Sequence, residues 1–241
     1  MSNFEVIIYE KKDDIGYVTL NRPQALNAYN LQMRDELYQA LAAIKDDPEV
    51  KVVIFKGAGE RAFCAGADLT EFLTAPSPVI ARQVRWERDV WGLFLSIPKP
   101  IIVALHGYVL GDGIEIALCC DLRLASEDVQ FGMPELGLGI IPAACGSQTL
   151  PRVIGRAKAL EILLTGRWIK AEEAHRLKLV NQIVPRADLL PAAERIARKI
   201  GDYDPIAVSC AKQAIIRGLD LSLDEGLELE ARLGGFIRSS K

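Results

Sequence analysis

Two hydrophobic periodicities alternate along the first part of the chain. Short apolar runs predict strands at Val6–Tyr9, Gly16–Leu20, Lys51–Phe55 and Ile101–Leu105. The first two of these are expected to form a hairpin that turns at Lys11–Ile15. Apolar residues at helical spacing predict a helix over Leu31–Lys45, which ends before Pro48. Strands that alternate with helices in this way are typical of an α/β fold, here one of repeated ββα units.

Further elements follow the same two patterns. Helices are predicted at Val84–Ile97 and Ile114–Cys120, and strands at Leu122–Ala125 and Val129–Phe131. The prolines in residues 70–80 predict a surface loop there. The later helices are predicted at Ser147–Val153, Arg156–Leu164, Lys170–Leu177, Leu189–Ile200, Pro205–Gly218 and Leu223–Phe236. Because no strand pattern follows Pro185, we predict a core over residues 1–185 that holds the active site, and a helical oligomerisation region over residues 186–241.

Composition narrows the possible classes of protein. The chain has 241 residues, of which 50% are hydrophobic and 25% charged, as in a globular protein. Its net charge of -3 and the absence of a basic cluster argue against nucleic-acid binding. The five cysteines show no CxxC spacing, so we expect reduced thiols and no metal site. Without a long apolar window or an apolar N-terminal segment, we expect no membrane span and a cytoplasmic protein.

Two carboxylates in apolar or glycine-rich surroundings are the candidate catalytic groups. Glu115 is the only charged residue in the run from Ile114 to Cys120, and Glu135 follows Pro134. A buried ionised carboxylate is costly unless it is paired or neutralised, so such residues often serve as general acids or bases. Structural interpretations remain open for both. Asp112 and Glu115 fit a helix capping box, and Glu135 fits an ordinary loop acid.

Other familiar signatures are incomplete. The Gly111-x-Gly113 pair resembles a dinucleotide-binding turn, but Ile116 stands where the third small residue is needed. Neither a phosphate-binding P-loop nor a G-x-S-x-G nucleophile motif occurs. The two histidines, His106 and His175, are expected to be structural.

Two glycine-rich turns suggest how a carbonyl oxygen could be bound. Residues 62–68 follow a predicted strand, and the turn at 111–113 precedes a helix. Such turns leave backbone N–H groups without partners, and two of them that converge on one oxygen form an oxyanion hole. With a thioester carbonyl in that hole, an α-proton becomes removable and a conjugated double bond becomes open to water.

These segments together resemble the crotonase (enoyl-CoA hydratase/isomerase) superfamily. The matching stretches are Asn21-Arg22-Pro23, Ala25-Leu26-Asn27-Ala28, Phe63–Leu69, Lys99–Asp121, Phe131–Glu135 and Leu138–Pro142. Each motif alone is weak, whereas the combination is specific and spans the chain from about residue 5. The resemblance implies an α/β spiral of ββα units, followed by C-terminal helices that build a homotrimer or a dimer of trimers.

The resemblance also implies roles for individual residues. Glu115 and Glu135 match the two catalytic glutamates, and the N–H groups of Ala65 and Asp112 match the oxyanion hole. The matched substrate-binding positions are Ala25, Ala65, Gly66, Ala67, Asp68, Asp112 and Gly113. Asp112 stands where the family pattern has the middle glycine of three, and we expect its carboxylate to point away from the hole as a helix N-cap.

We therefore expect an enoyl-CoA hydratase of fatty acid β-oxidation, with no cofactor beyond the coenzyme A of its substrate. An enoyl-CoA isomerase is the nearest alternative, and it needs only the second glutamate. A hydrolase or ring-opening enzyme on a cyclic acyl-CoA and a non-catalytic, RNA-binding member are further alternatives. From their position alone, Phe72, Leu73, Trp86 and Trp91 are expected to line the acyl pocket.

Overall fold

The computed structural model describes residues 4–71 and 87–239. The strands are β1 (Ile7–Lys12), β2 (Ile15–Leu20), β3 (Val52–Gly57), β4 (Ala62–Cys64), β5 (Ile101–Leu105), β6 (Tyr108–Leu110), β7 (Leu122–Ser126), β8 (Gln130–Gly132), β9 (Ile169–Lys170) and β10 (Gln182–Val184). The helices are α1 (Leu31–Asp46), α2 (Val90–Ser96), α3 (Asp112–Cys119), α4 (Gly146–Ile154), α5 (Arg156–Thr165), α6 (Ala171–Arg176), α7 (Leu189–Gly201), α8 (Pro205–Gly218) and α9 (Leu223–Ser239). Short 3-10 helices lie at Pro23–Ala25, Glu135–Leu138 and Arg186–Asp188.

The strands form two sheets that the chain visits in turn. The larger sheet has the order β1-β2-β3-β5-β7-β10, and the smaller has the order β4-β6-β8-β9. The pairs β3/β4, β5/β6 and β7/β8 each place one strand in each sheet, so successive units add neighbouring, parallel strands to both. This is the predicted repetition of ββα units.

Both faces of the larger sheet are buried, which explains the continuous apolar runs of its parallel strands. Side chains of one strand alternate between the faces: Val53 and Phe55 pack in one cluster, whereas Val52 and Ile54 pack in the other. Helix α1 contributes Met33, Leu37 and Leu41 to the first cluster. The second cluster is covered by the apolar face of α7, including Leu189, Ala193 and Ala197.

Helix α7 therefore packs on the core sheet, although the sequence places it in the oligomerisation region. The predicted division at residue 185 runs through its cluster, which holds both Val184 and Leu189. The two last helices differ from α7, because α8 buries only Cys210 and α9 buries no residue.

The sequence pattern locates most elements within a few residues. The hairpin is confirmed, and the antiparallel pair β1/β2 turns at Asp13 and Asp14. Strands β4, β6, β9 and β10 were missed, because each has only two or three residues and too short a pattern to detect. Most of the predicted loop at 70–80, and the first part of the helix predicted at Val84–Ile97, lie outside the described residues. Helix α2 covers the end of that helix.

Candidate active site

A cavity of about 480 Å³ opens beside the N-terminus of α3. Its polar wall contains the backbone after β4, the start of α3 and the carboxyl groups of Asp112, Glu115 and Glu135. Its apolar wall includes Val90, Trp91, Leu138, Ile140 and Ile141. The sequence-predicted pair Glu115 and Glu135 is thus brought to one cavity, from elements that lie twenty residues apart.

The two glycine-rich turns contact each other at this cavity. Gly66 has φ +95° and Gly111 has φ +48°, conformations that favour glycine because it has no Cβ. A Cβ on Gly66 would lie 3.2 Å from the carbonyl oxygen of Leu110, and a Cβ on Gly111 would lie 2.8 Å from Oε1 of Glu135. Both glycines therefore let the two backbones and one glutamate approach closely.

The backbone amides of these turns are not equally available. The Ala65 N–H donates to the carbonyl oxygen of Leu26 at 3.1 Å. Ala67 and Tyr29 form a parallel β-bridge, whose hydrogen bonds are made by the two neighbours of Ala67. The Tyr29 N–H donates to the Gly66 carbonyl oxygen, and the Asp68 N–H donates to the Tyr29 carbonyl oxygen. The N–H of Ala67 itself therefore points to the opposite side. Within the described residues, neither the Ala67 N–H nor that of Asp112 donates to a protein acceptor. The geometry therefore replaces Ala65 by Ala67 as the partner of Asp112 in an oxyanion hole.

Glu115 lies on α3, is 1% exposed and accepts a hydrogen bond from the Gly146 N–H at 2.6 Å. That N–H belongs to the first turn of α4, where backbone donors have no partner within the helix. Burial raises the pKa of Glu115 to about 9, and the adjacent Asp112 carboxyl adds to the shift. The Gly146 N–H opposes this rise, since it favours the ionised form.

The capping box predicted for Asp112 and Glu115 is wrong. Gly111 is the N-cap of α3, and Asp112 is the first helical residue, with no side-chain cap at this end. Because Asp112 sits one position further into the helix, its carboxyl does not point away as an N-cap. It lies in the cavity wall and is hydrogen bonded to the carboxyl of Glu115. Burial raises the pKa of Asp112, although this hydrogen bond opposes the rise.

Glu135 opens the 3-10 helix Glu135–Leu138 and is 7% exposed. Its Oε2 has no hydrogen-bond partner among the described residues. Burial raises the pKa of Glu135, and the charge of Asp112 raises it further. A buried carboxyl whose oxygen lacks a partner is suited to hold or exchange a proton with a bound molecule.

Three predicted binding residues do not line the cavity: Ala25, Asp68 and Gly113. Asp68 forms an ion pair with Arg22 at 2.9 Å. A Cβ on Gly113 would lie 2.4 Å from the carbonyl oxygen of Cys64, so this glycine allows α3 to pack on β4. The predicted positions Ala65, Gly66, Ala67 and Asp112 do line the cavity.

Sequence reasoning missed two contributors to the site. Tyr29 lines the cavity and packs against Trp91, with tilted rings whose centroids are 5.6 Å apart. Its hydroxyl has no partner in the described part of the chain. The other is Gly146, whose N–H binds the Glu115 carboxyl. Trp91 was expected to line the pocket and does so, whereas Phe72, Leu73 and Trp86 lie outside the described residues.

The remaining candidates lie away from the cavity wall. His106 is buried behind the turn after β5, and His175 is exposed on α6. Among residues 4–71 and 87–239, no group of three or more His, Cys, Asp or Glu side chains could hold a metal ion. No helix in these ranges is both long and apolar enough to cross a membrane.

Known proteins match the chain along nearly its whole length. Residues 10–240 match the family model described as enoyl-CoA hydratase/isomerase. The short-chain-enoyl-CoA hydratase of Clostridium acetobutylicum is 40% identical over 229 residues, which cover 95% of this chain and 88% of that protein. The (E)-benzylidenesuccinyl-CoA hydratase of Thauera aromatica is 37% identical over 237 residues, 98% of this chain and 91% of the relative. The crystal structure of an enoyl-CoA hydratase from Bacillus anthracis is similar with a TM-score of 0.91 and 38% identity, covering 96% of this chain and 90% of that one.

Proposed function

Since the chain belongs to the enoyl-CoA hydratase/isomerase family, we propose that it adds water across the 2,3-double bond of an enoyl-CoA thioester, with Glu115 and Glu135 as its acid/base pair. The observation that carries this proposal is the meeting, in one cavity, of two buried carboxyl groups with two backbone amides that have no acceptor among the described residues. An arrangement of this kind can stabilise charge on a thioester oxygen and move protons at the adjacent carbons.

The proposed reaction balances as a syn addition. The N–H groups of Ala67 and Asp112 donate to the thioester oxygen and stabilise the enolate. Glu115, in the ionised form that the Gly146 N–H favours, takes a proton from water, whose oxygen bonds to the β-carbon. Glu135 gives its proton to the α-carbon, so the double-bond electrons end in the new C–H bond. The raised pKa of Glu135 supports its role as proton donor, because burial keeps the carboxyl protonated closer to neutral pH.

Single and double substitutions test this assignment. We expect Glu115→Gln and Glu135→Gln each to lower the hydration rate about 10²-fold or more, the usual contribution of a positioned acid or base. The double variant should be little worse than the more damaging single variant, because both groups act on one water. Mass spectrometry of the products, over short, long, aromatic and cyclic enoyl-CoA substrates, measures the activity and the acyl range together.

The isomerase alternative has a distinct signature in the same experiment. Glu115→Gln should retain exchange of the α-proton with solvent, since that step needs Glu135 and the two amides but no activated water. Wild-type hydration in Glu115→Gln would contradict the role of Glu115. Conversion of a 3-enoyl-CoA to a 2-enoyl-CoA by the wild-type protein, without any water addition, would favour an isomerase.

We propose assembly into a homotrimer, or a dimer of two trimers, through α8 and α9. In support, large apolar side chains of this region are exposed in the single chain: Ile215, Leu219, Leu223, Leu227 and Phe236 are between 52% and 82% exposed. So many large exposed apolar side chains on two helices are typical of an interface. Light scattering should give a multiple of three protomers of 26.5 kDa, and an active monomer would contradict the proposal. A cytoplasmic location and a role in β-oxidation stay predictions.

A further inference from the structure

The cavity contains a third carboxyl group that the proposed reaction does not use. Asp112 supplies a backbone amide to the oxyanion hole, yet its side chain lies in the same cavity wall and meets the carboxyl of Glu115. Glu135 faces the same space, with Oε2 buried and unpartnered within the described residues. Three carboxyl groups thus converge where negative charge has to develop on the substrate.

Among the described residues, no cation neutralises this group of carboxyls. The arginines that line the cavity, Arg34 and Arg88, both pair with Asp35. In residues 4–71 and 87–239, no lysine, arginine or histidine forms an ion pair with Asp112, Glu115 or Glu135. Two adjacent carboxylates cannot both stay ionised in such surroundings, and the usual solution is to share one proton.

We propose that Asp112 is a positioning residue that shares a single proton with Glu115, so that the pair, and not Glu115 alone, accepts the proton of the attacking water. The hydrogen bond between the two carboxyls fixes the orientation of Glu115 from one side, and the Gly146 N–H fixes it from the other at 2.6 Å. This inference rests on the proposed hydration and deepens it.

The proton count follows from the pair. At rest, Asp112 and Glu115 together hold one proton and one negative charge. When the water oxygen bonds to the β-carbon, its proton moves to the pair, which becomes neutral. The negative charge passes to the thioester oxygen, next to the Asp112 N–H, and Glu135 then protonates the α-carbon. The repulsion between the Asp112 carboxylate and the enolate therefore disappears in the step that forms the enolate.

Other titratable groups lie close to the pair of Asp112 and Glu115 and influence its titration. Tyr29, Cys64 and Cys145 lie close enough to interact with Asp112, as does Glu135. Burial raises the pKa of Tyr29 and of Cys64, so both stay neutral over the range in which carboxyls titrate. Cys145 differs from them, because its hydrogen bond with the Cys119 thiol lowers its pKa.

Infrared titration of the free protein tests the sharing without reference to activity. With ¹³C-labelled glutamate, we expect a protonated glutamate carboxyl that ionises near pH 9 in the wild-type protein. Asp112→Asn, which keeps the backbone N–H, and Asp112→Gly should each lower that ionisation by at least about one pH unit, a tenfold loss of proton affinity. Glu172→Gln, which removes an exposed carboxylate on α6, should leave it in place. Circular dichroism checks that each variant is folded.

A kinetic readout separates this role from a merely structural one. The pH profile of kcat/KM for hydration should shift in both Asp112 variants and stay unchanged in Glu172→Gln. A glutamate titration unchanged in both folded Asp112 variants would overturn the shared proton, even with hydration intact. A shifted titration in a protein that hydrates no enoyl-CoA would support the sharing and overturn the proposed reaction.

Discussion

Gly146 is the position at which a single methyl group should disturb the site most directly. A Cβ there would lie 2.7 Å from Oε1 and 2.9 Å from Cγ of Glu115, and 3.0 Å from Cε of Met133. Non-bonded carbon contacts are favourable only from about 3.5 Å, so Glu115 has to move by roughly 0.7 Å or more to accept the methyl group. The same displacement breaks or lengthens its 2.6 Å hydrogen bond from the Gly146 N–H.

The expected cost of Gly146→Ala follows from this displacement. A misplacement of about 1 Å in an active site can cost ~10² in rate, so we expect kcat for hydration to fall about 10- to 100-fold. Overpacking of a buried position costs about 1–3 kcal/mol, so the free energy of unfolding should also fall. The loss of enoyl-CoA absorbance measures the rate, and urea unfolding measures the stability.

Gly137→Ala is the matched control. Gly137 lies in the 3-10 helix that carries Glu135, but no atom lies within 4 Å of the Cβ that alanine would add. Its rate should stay within about twofold of wild type, and the restricted unfolded chain should raise stability by up to about 1 kcal/mol. If Gly146→Ala keeps wild-type kcat and stability, the close packing of α4 on Glu115 and the role drawn from it are both refuted.

Three further predictions concern stability and assembly. Asn27→Ala should lower the free energy of unfolding by about 2 kcal/mol or more, because it leaves the carbonyl oxygens of Ala58 and Ala62 without their 2.9 Å hydrogen bonds. Thermal melting checks this. Glu135→Gln should be more stable than wild type at pH 8, because burial raises the folded-state pKa of Glu135 above its ordinary value of 4.5. Between pH 4.5 and the raised pKa, the native wild-type protein binds one proton more than the unfolded chain, so its stability increases as the pH falls. The difference in stability between variant and wild type should therefore vanish below pH 4.5, and denaturation at pH 4 and pH 8 measures it. Leu223→Asp should dissociate the proposed trimer, because it places a charge on the exposed apolar surface of α9; an unchanged mass in light scattering would contradict that role.

The motif residues recognised in the sequence separate into two groups in the structure. Glu115, Glu135 and the glycine turns line the cavity, as the chemistry required. Arg22, Asn27 and Asp68 instead hold neighbouring loops together, since the Arg22 side chain bonds to Asp68 and the Asn27 amide donates to the carbonyl oxygens of Ala58 and Ala62. A motif therefore marks a site without saying which of its members contact the ligand.

The sequence by itself determined the alternation of strands and helices, the two glutamates and the family. Hydrophobic periodicity depends on local geometry, and the motifs are contiguous, so both can be read from a single chain. The sequence could also show that Asp112 stands in place of a glycine.

Only the tertiary structure decided which amides are free, where the Asp112 carboxyl lies and what covers the large sheet. The Ala65 N–H is used by Leu26, which lies 39 positions earlier in the chain, and the Glu115 carboxyl is oriented by Gly146, 31 positions later. A shift of one residue in the N-cap, from Asp112 to Gly111, brings a carboxyl into the cavity that the sequence pattern placed outside it. Hydrogen bonding and proton sharing depend on distances between remote segments, and local sequence patterns contain no information about those distances.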